Sequence, residues 1–357
     1  MPPRHIRVLI ADDSALMRQV LRKLIESASD MELVGAARDG EDAVQKVREL
    51  RPDVLTLDIN MPKLDGLSAL QLILHDQICP VIMLSSLTQA GATTTFEALE
   101  LGAFDIVGKP GGTVSTDMAA VAVELLGKIR AAAAAGTTAR VRRRAAPAPV
   151  RRAAPPLGRR SEFRAVTLGI STGGPSTLMQ VLPMFPRDIN GALFVTQHMP
   201  AAFITTFAKR LAGACQLAVL EAESGLTVEP GHCYVARGGC HLAVFRKANG
   251  QVVIRTPSHP VTQFMPGVNP MMESILSVYG PATIGVLMTG IGDDGADAMV
   301  KIRRAGGRTI AESAETAIVY GMPREAFERG GAEVVVPDVG VPDAVLRMMN
   351  DEVRRAA

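Results

Sequence analysis

The chain has 357 residues, 47% of them apolar, a net charge of +2 and four cysteines; that length predicts two or three domains, each with its own core. No apolar run is long enough to span a bilayer, the N-terminus lacks an apolar signal core, and the cysteines form no CxxC pair. A membrane span, a disulfide framework and a zinc ribbon are thereby excluded, and a cytoplasmic protein is expected.

Residues 6–134 alternate short apolar strands with helical stretches, the pattern of a doubly wound α/β fold. Strands are expected at Ile6–Ala11, Glu32–Ala37, Val54–Leu57, Pro80–Leu84 and Phe104–Val107, with helices such as Ser14–Ala28 and Asp65–His75 between them. Four strand ends carry chemistry: Asp12 and Asp13, then Asp58, Ser85 and Lys109. Three carboxylates at one sheet edge repel each other unless a hard cation lies between them, and Mg²⁺ suits such an oxygen site. Lys109 and Ser85 beside them would hold the oxygens of a phosphoryl group once Asp58 is modified. One such aspartate would be an ordinary solvated loop residue; the full set at the appropriate strand ends is not explained that way.

From Gly136 to Arg160 the chain is built of Ala, Pro and Arg, with eight arginines and no acid. Removing them leaves 30 basic residues against 36 acidic, a balance of −6, so the folded parts are mildly acidic. This stretch buries too little surface to offset chain entropy and reads as an extended, disordered tether. Arginine runs also attract nucleic acid, but no interleaved aromatics or reading module accompany this one.

Beyond the tether, Gly169-Ile170-Ser171-Thr172-Gly173 closes an apolar strand and fits the G-x-S-x-G elbow, which lifts a serine hydroxyl clear of a sheet. The next strand, Ala192–Thr196, runs into Gln197-His198-Met199-Pro200, and Thr283–Met288 runs into Thr289-Gly290-Ile291-Gly292-Asp293-Asp294-Gly295. In a parallel sheet these three ends meet at the carboxyl edge. Serine needs a base to take its proton, and His198 with an acid beyond it supplies one, so this part reads as a serine hydrolase. The order Ser, His, Asp differs from the Ser, Asp, His of α/β-hydrolases. A dinucleotide cradle fits poorly, because serine replaces its middle glycine and Gln197-His198 stands where its acid belongs. His232-Cys233 and Cys240-His241 match no common metal-ligand spacing. Asn249-Gly250, between Leu242–Phe245 and Val252–Ile254, predicts a hairpin turn.

Residues 5–130 resemble the receiver domain of bacterial two-component response regulators. By that resemblance Asp58, in Leu57-Asp58-Ile59-Asn60-Met61-Pro62, is the phospho-acceptor. Asp12, Asp13 and Asp58, with the Asn60 carbonyl, would hold Mg²⁺, and Ser85 and Lys109 would sense the phosphoryl group. Ile106 stands where many receivers carry an aromatic residue.

A receiver joined to Gly-Ile-Ser-Thr-Gly-Gly, Gln-His-Met-Pro, Thr-Gly-Ile-Gly-Asp-Asp-Gly and Tyr320-Gly321-Met322-Pro323 resembles the chemotaxis protein-glutamate methylesterase family (CheB type) over nearly the whole chain. The resemblance implies hydrolysis of methyl esters on chemoreceptor glutamates and deamidation of receptor glutamines. Ser171 would be the nucleophile, His198 the base and then the acid for departing methanol, and Asp294, in preference to Asp293, the residue orienting the imidazole. The Ile291 backbone N–H would serve the oxyanion hole, in a place where family members usually have methionine. Thr172 would orient substrate or hold the turn.

The domains implied are a five-stranded, doubly wound parallel receiver (1–130), a flexible linker (131–163) and a doubly wound α/β methylesterase domain with a mainly parallel sheet and a β-hairpin (164–357). Mg²⁺ is expected for receiver phosphorylation and no cofactor for the esterase. Methylated cytoplasmic domains of chemoreceptors and a chemotaxis histidine kinase are the expected partners, without nucleic acid or membrane insertion. Phosphorylation of Asp58 is expected to lift an obstruction of Ser171 by the receiver.

Three departures from the family pattern, Met265-Pro266-Gly267-Val268-Asn269, Glu312-Ser313-Ala314-Glu315 and Arg237, are expected away from the triad, on the surface that meets the receptor. They leave open a hydrolase for another ester or amide. A DNA-binding response regulator is the remaining rival, disfavoured by an α/β output domain about twice the usual size.

Overall fold

The computed structural model describes residues 4–86, 88–109, 118–136 and 162–350, and the chain divides into two compact units, Met1–Ala146 and Pro147–Ala357. In the first, strands β1 (Ile6–Ala11), β2 (Met31–Ala37), β3 (Val54–Asp58), β4 (Val81–Ser85) and β5 (Asp105–Gly108) form one sheet in the order β2-β1-β3-β4-β5, parallel throughout. The connecting helices are α1 (Ala15–Glu26), α2 (Gly40–Leu50), α3 (Gly66–His75), α4 (Gln89–Leu101) and α5 (Met118–Ala135). Ser14, Asp39, Asp65 and Thr88 cap the first four, each side chain accepting a backbone N–H that the helix leaves unpaired. Strands β3 and β4 are buried at every position, because helices cover both faces of a parallel sheet.

Helix α5 continues to Ala135, past the expected domain end at 130. Its last residues are a run of alanines, the strongest helix former, and this carries the helix on. The disorder expected of the tether, Gly136–Arg160, falls beyond Gly136 on residues that lie outside the described ones.

The second unit contains β6 (Arg164–Ile170), α6 (Gly174–Val181), β7 (Gly191–Gln197), α7 (Ala201–Ala214), β8 (Ala218–Glu221) and β9 (His232–Val235). The hairpin β10 (Ala243–Arg246) and β11 (Val252–Arg255) follows, then α8 (Val268–Tyr279), β12 (Thr283–Leu287), α9 (Ala296–Arg304), β13 (Arg308–Glu312), α10 (Met322–Glu328), β14 (Val334–Val336) and α11 (Val341–Asn350). Seven strands form a sheet in the order β14-β13-β12-β6-β7-β9-β8, all parallel. Among the described residues, antiparallel pairing of whole strands is confined to the hairpin, as expected around Asn249-Gly250.

The chain winds outward from β6 to β7 and then crosses back to place β12 on the other side of β6. The direction of winding reverses beside β6, and such a switch point opens a crevice at the carboxyl edge. Phe194, Tyr234, Met271, Met272, Ile275 and Met299 belong to the core beneath it. Phe163 stacks on Tyr279 with ring centroids 5.4 Å apart, so the packed unit begins before β6. No helix among the described residues is long and apolar enough to cross a membrane.

Candidate functional sites

Ser171 follows the last residue of β6, and its backbone is fixed on three sides. Its N–H donates to the Thr289 carbonyl at 2.9 Å, and its carbonyl accepts from Gly174 N–H at 2.8 Å and from Gln197 Nε2 at 2.8 Å. Gln197 Nε2 also donates to the His198 carbonyl at 2.9 Å, so one amide ties the ends of β6 and β7 together. Gly173 turns the chain into α6 with φ +76°, a left-handed conformation that favours glycine. At Gly290, a side chain would place its Cβ 2.7 Å from Ser171 Cβ. The Gly290 backbone therefore runs against the serine, and no acceptor among the described residues takes the N–H of the next residue, Ile291. Thr172 is buried; its carbonyl accepts from Thr289 Oγ1 at 2.9 Å, while its own Oγ1 has no partner among the described residues.

His198 Nε2 lies 3.0 Å from Asp294 Oδ2. A carboxylate only accepts, so Nε2 carries a hydrogen, and in the neutral imidazole the lone pair is on Nδ1. Nδ1 is buried and has no partner among the described residues, Ser171 Oγ included. A serine–histidine bond is often made only in the substrate complex. The Phe264 ring stacks on the imidazole with centroids 4.0 Å apart and an 11° angle between planes.

Asp294 also accepts from Val268 N–H at 2.7 Å and Asn269 N–H at 2.9 Å, in the first turn of α8. Asn269 Oδ1 in turn accepts from Ala298 N–H at 3.0 Å, in the first turn of α9. Each helix start is thus satisfied by the other's flank. Burial pushes the Asp294 carboxyl up, but the bond and charge of His198, with the two backbone donors, outweigh it and hold it below its usual range. Asp293 faces elsewhere, 2.6 Å from Arg329 Nη2.

Two of the three departures from the family pattern lie at this site rather than away from it. Val268 and Asn269 supply both N–H donors to Asp294. Glu312 is fully buried, and its Oε2 accepts the N–H of Thr289, the residue that holds Ser171 and Thr172, at 2.8 Å. The physical reason is topological: β12 and β13 are neighbours and α8 starts over the end of β12, so segments distant in sequence converge on one strand end. Arg237 remains at the surface, 3.7 Å from Glu221.

Phe264 had no signal in the sequence; Thr289 and Glu312 stood in segments read for other reasons, and nothing in their spacing links them to the serine or histidine. Gln197 stood beside His198 in the motif, and only the pairing of β6 with β7 reveals what its amide does.

In the first unit, Asp12, Asp13 and Asp58 bring one carboxylate oxygen each within 4.8 Å of one another. Asp12 and Asp58 are buried, and Lys109 Nζ lies 2.8 Å from a carboxylate oxygen of each. Burial raises the Asp58 carboxyl and the Asp12 charge adds to this, against the pull of Lys109. Arg18 Nη1 donates to the Asp12 and Asp13 carbonyls at 2.7 and 2.8 Å, fixing the acidic loop. Ser85 Oγ accepts from Thr95 Oγ1 at 2.7 Å. Asn60 is exposed beside this edge. Clustered hard oxygens, two of them buried with a single lysine between, fit a divalent cation of the Mg²⁺ kind. The structure therefore brings Asp12, Asp13, Asp58 and Lys109 together, with Ser85 at the adjoining strand end.

The response regulator receiver domain family matches residues 8–117, and the CheB methylesterase family matches residues 166–345. A protein-glutamate methylesterase/protein-glutamine glutaminase 3 from Syntrophomonas wolfei is 56% identical over 97% of this chain and 99% of its own length. A protein-glutamate methylesterase/protein-glutamine glutaminase from Caldanaerobacter subterraneus is 48% identical over 98% of both chains. The crystal structure of the Thermotoga maritima CheB methylesterase catalytic domain is 34% identical, with a TM-score of 0.51, and covers 52% of this chain and 99% of that one. By these matches, and by the two folds they meet, the chain belongs to the CheB methylesterase family and carries a response regulator receiver domain ahead of its catalytic domain.

Proposed function

We propose that Ser171, His198 and Asp294 carry the hydrolysis of glutamate methyl esters on chemoreceptors and the deamidation of receptor glutamines, under the control of phosphorylation at Asp58. The observation that carries this reading is the imidazole of His198: one nitrogen bound to a clamped carboxylate, the other basic, buried and unpartnered beside the serine strand.

Ser171 Oγ attacks the ester carbonyl as His198 Nδ1 takes its proton. Asp294 stabilises the imidazolium through Nε2–H, and the α8 N–H groups keep that carboxylate ionised. The Ile291 N–H donates to the oxyanion, and loss of one such donor costs about 2.7–4 kcal/mol. His198 then returns the proton to the departing methoxide and methanol leaves. Water attacks the acyl-serine by the same route, giving glutamate and free Ser171. With a glutamine side chain the leaving group is ammonia. Thr172 orients the incoming side chain.

In the receiver, Asp58 accepts a phosphoryl group from a chemotaxis histidine kinase, and Lys109 and Ser85 bind its oxygens. Asp12, Asp13 and Asp58, with the Asn60 carbonyl, would hold Mg²⁺, which when bound would supply positive charge against the phosphoryl oxygens. We place the domain boundaries at 1–130 and 164–357, with a tether between them, and the reaction in the cytoplasm, where receptor methylation sites lie. A phosphonate probe for activated serines tests the nucleophile. Intact-protein mass spectrometry should find one adduct, at Ser171, absent in Ser171→Ala and strongly slowed in His198→Ala; an adduct at another residue overturns the assignment.

A further inference from the structure

His241 is a buried histidine that the mechanism above does not use: only 1% of its surface is exposed. It lies just before β10, and its side chain reaches across to the loop that leads into α8. Nε2 is 2.7 Å from the Pro260 carbonyl, and Nδ1 is 3.0 Å from the Gly267 N–H. A carbonyl can only accept and an amide N–H can only donate, so both partners demand the neutral imidazole with its hydrogen on Nε2. The same turn makes two backbone bonds to this loop: His241 N–H to the Pro257 carbonyl at 2.8 Å and Gly239 N–H to the Met265 carbonyl at 3.1 Å.

What the loop carries gives these bonds their meaning. Phe264, stacked on His198, lies between the two points that His241 holds. Gly267, the residue whose N–H His241 receives, immediately precedes Val268 and Asn269, whose N–H groups hold Asp294. Space there is limited, since a Cβ at Gly267 would lie 3.3 Å from His241 Cε1. Thr262 Oγ1 closes the loop on itself by donating to the Phe264 carbonyl at 2.6 Å.

We propose that His241 is a positioning residue for the hydrolytic reaction: its Nε2–H imidazole pins residues 257–267, and through them sets the Phe264 ring on His198 and the N–H pair on Asp294. The proposal rests on the triad reading above, and it goes beyond that reading by placing the control of triad geometry in a side chain that touches neither substrate nor triad.

Because misplacement by about 1 Å costs roughly 10²-fold in rate, His241→Leu in the full-length protein should lower kcat for methanol release about 100-fold. KM for methylated receptor should stay within about twofold, since no substrate contact is lost. His241→Asn, whose amide oxygen can take the Gly267 N–H in place of Nδ1, should recover most of that loss. In the wild type, two-bond nitrogen–proton correlations should show the His241 hydrogen on Nε2. Wild-type kcat in a folded His241→Leu protein, equal damage from Asn and Leu, or a hydrogen on Nδ1 would each overturn the proposal. If His241→Leu does not fold, the Asn variant and the wild-type tautomer decide the matter. Ser171→Ala run alongside separates the two readings: full release without Ser171 removes the triad itself, whereas dependence on Ser171 with indifference to His241 removes only this inference.

Discussion

Asp58, buried, and Asp294, half-buried, respond to their surroundings in opposite directions. Asp294 titrates below its unfolded value because His198 and two amide donors favour its charge. Its contribution to stability is complete above about pH 4 and is lost as the pH falls below that point. Asp58 titrates above its unfolded value because burial dominates. Its charge opposes folding at neutral pH, and the penalty disappears as the pH falls through the raised value towards about 4. Asp58→Asn should therefore raise the melting temperature of the receiver at pH 7, with a gain that shrinks on acidification, and Asp294→Asn should lower that of the catalytic unit. Calorimetry at pH 7 and pH 4 checks both signs. Asp294→Asn should also reduce kcat by about 10⁴-fold, the scale expected when an orienting carboxylate becomes an amide.

The strand-end positions of Ser171, His198 and Asp58 were legible in the sequence because each closes an apolar run, and parallel strands deliver such residues to one edge of their sheet. The choice of Asp294 over Asp293 was not legible from the residues themselves. It depends on the Arg329 network that turns Asp293 outward and on the α8 amides that draw Asp294 inward. Phe264 and His241 were invisible for a related reason: they act through an irregular loop, which has no period to read.

At the scale of elements, the reciprocal helix starts are the main finding. Asp294, ahead of α9, satisfies α8, and Asn269, in the first turn of α8, satisfies α9. A buried amide left without an acceptor costs about 1 kcal/mol or more. Asn269→Ala should therefore destabilise the catalytic unit by about that amount in denaturant melts, and lower kcat more than it raises KM, since Asp294 would lose part of its frame. Asn269→Asp, which keeps the acceptor, should be milder in stability. The strands of the receiver were legible to within a residue of their ends, because short, mostly apolar runs such as Val54–Asp58 and Val81–Ser85 are closed by polar residues. The short strands β8 and β9 were not, since neither gives a long apolar run; β9 pairs with β7, and β8 in turn pairs with β9 at the sheet edge.

For the whole molecule, phosphorylation at Asp58, as proposed, would add about −1.5 to −2 charge beside Asp12 and Lys109. A tenfold rise in esterase turnover needs only about 1.4 kcal/mol of bias between restrained and active states. With a small phosphodonor and Mg²⁺, wild-type turnover should therefore rise by at least that factor, while Asp58→Asn stays at the basal rate. Methanol release from methylated receptor membranes, compared between wild type and Ser171→Ala with and without phosphodonor and Mg²⁺, is the most direct test of this account. The account predicts release that requires Ser171 and increases with phosphodonor. Undiminished release by Ser171→Ala, or no release by wild type carrying a phosphorylated Asp58, would contradict it.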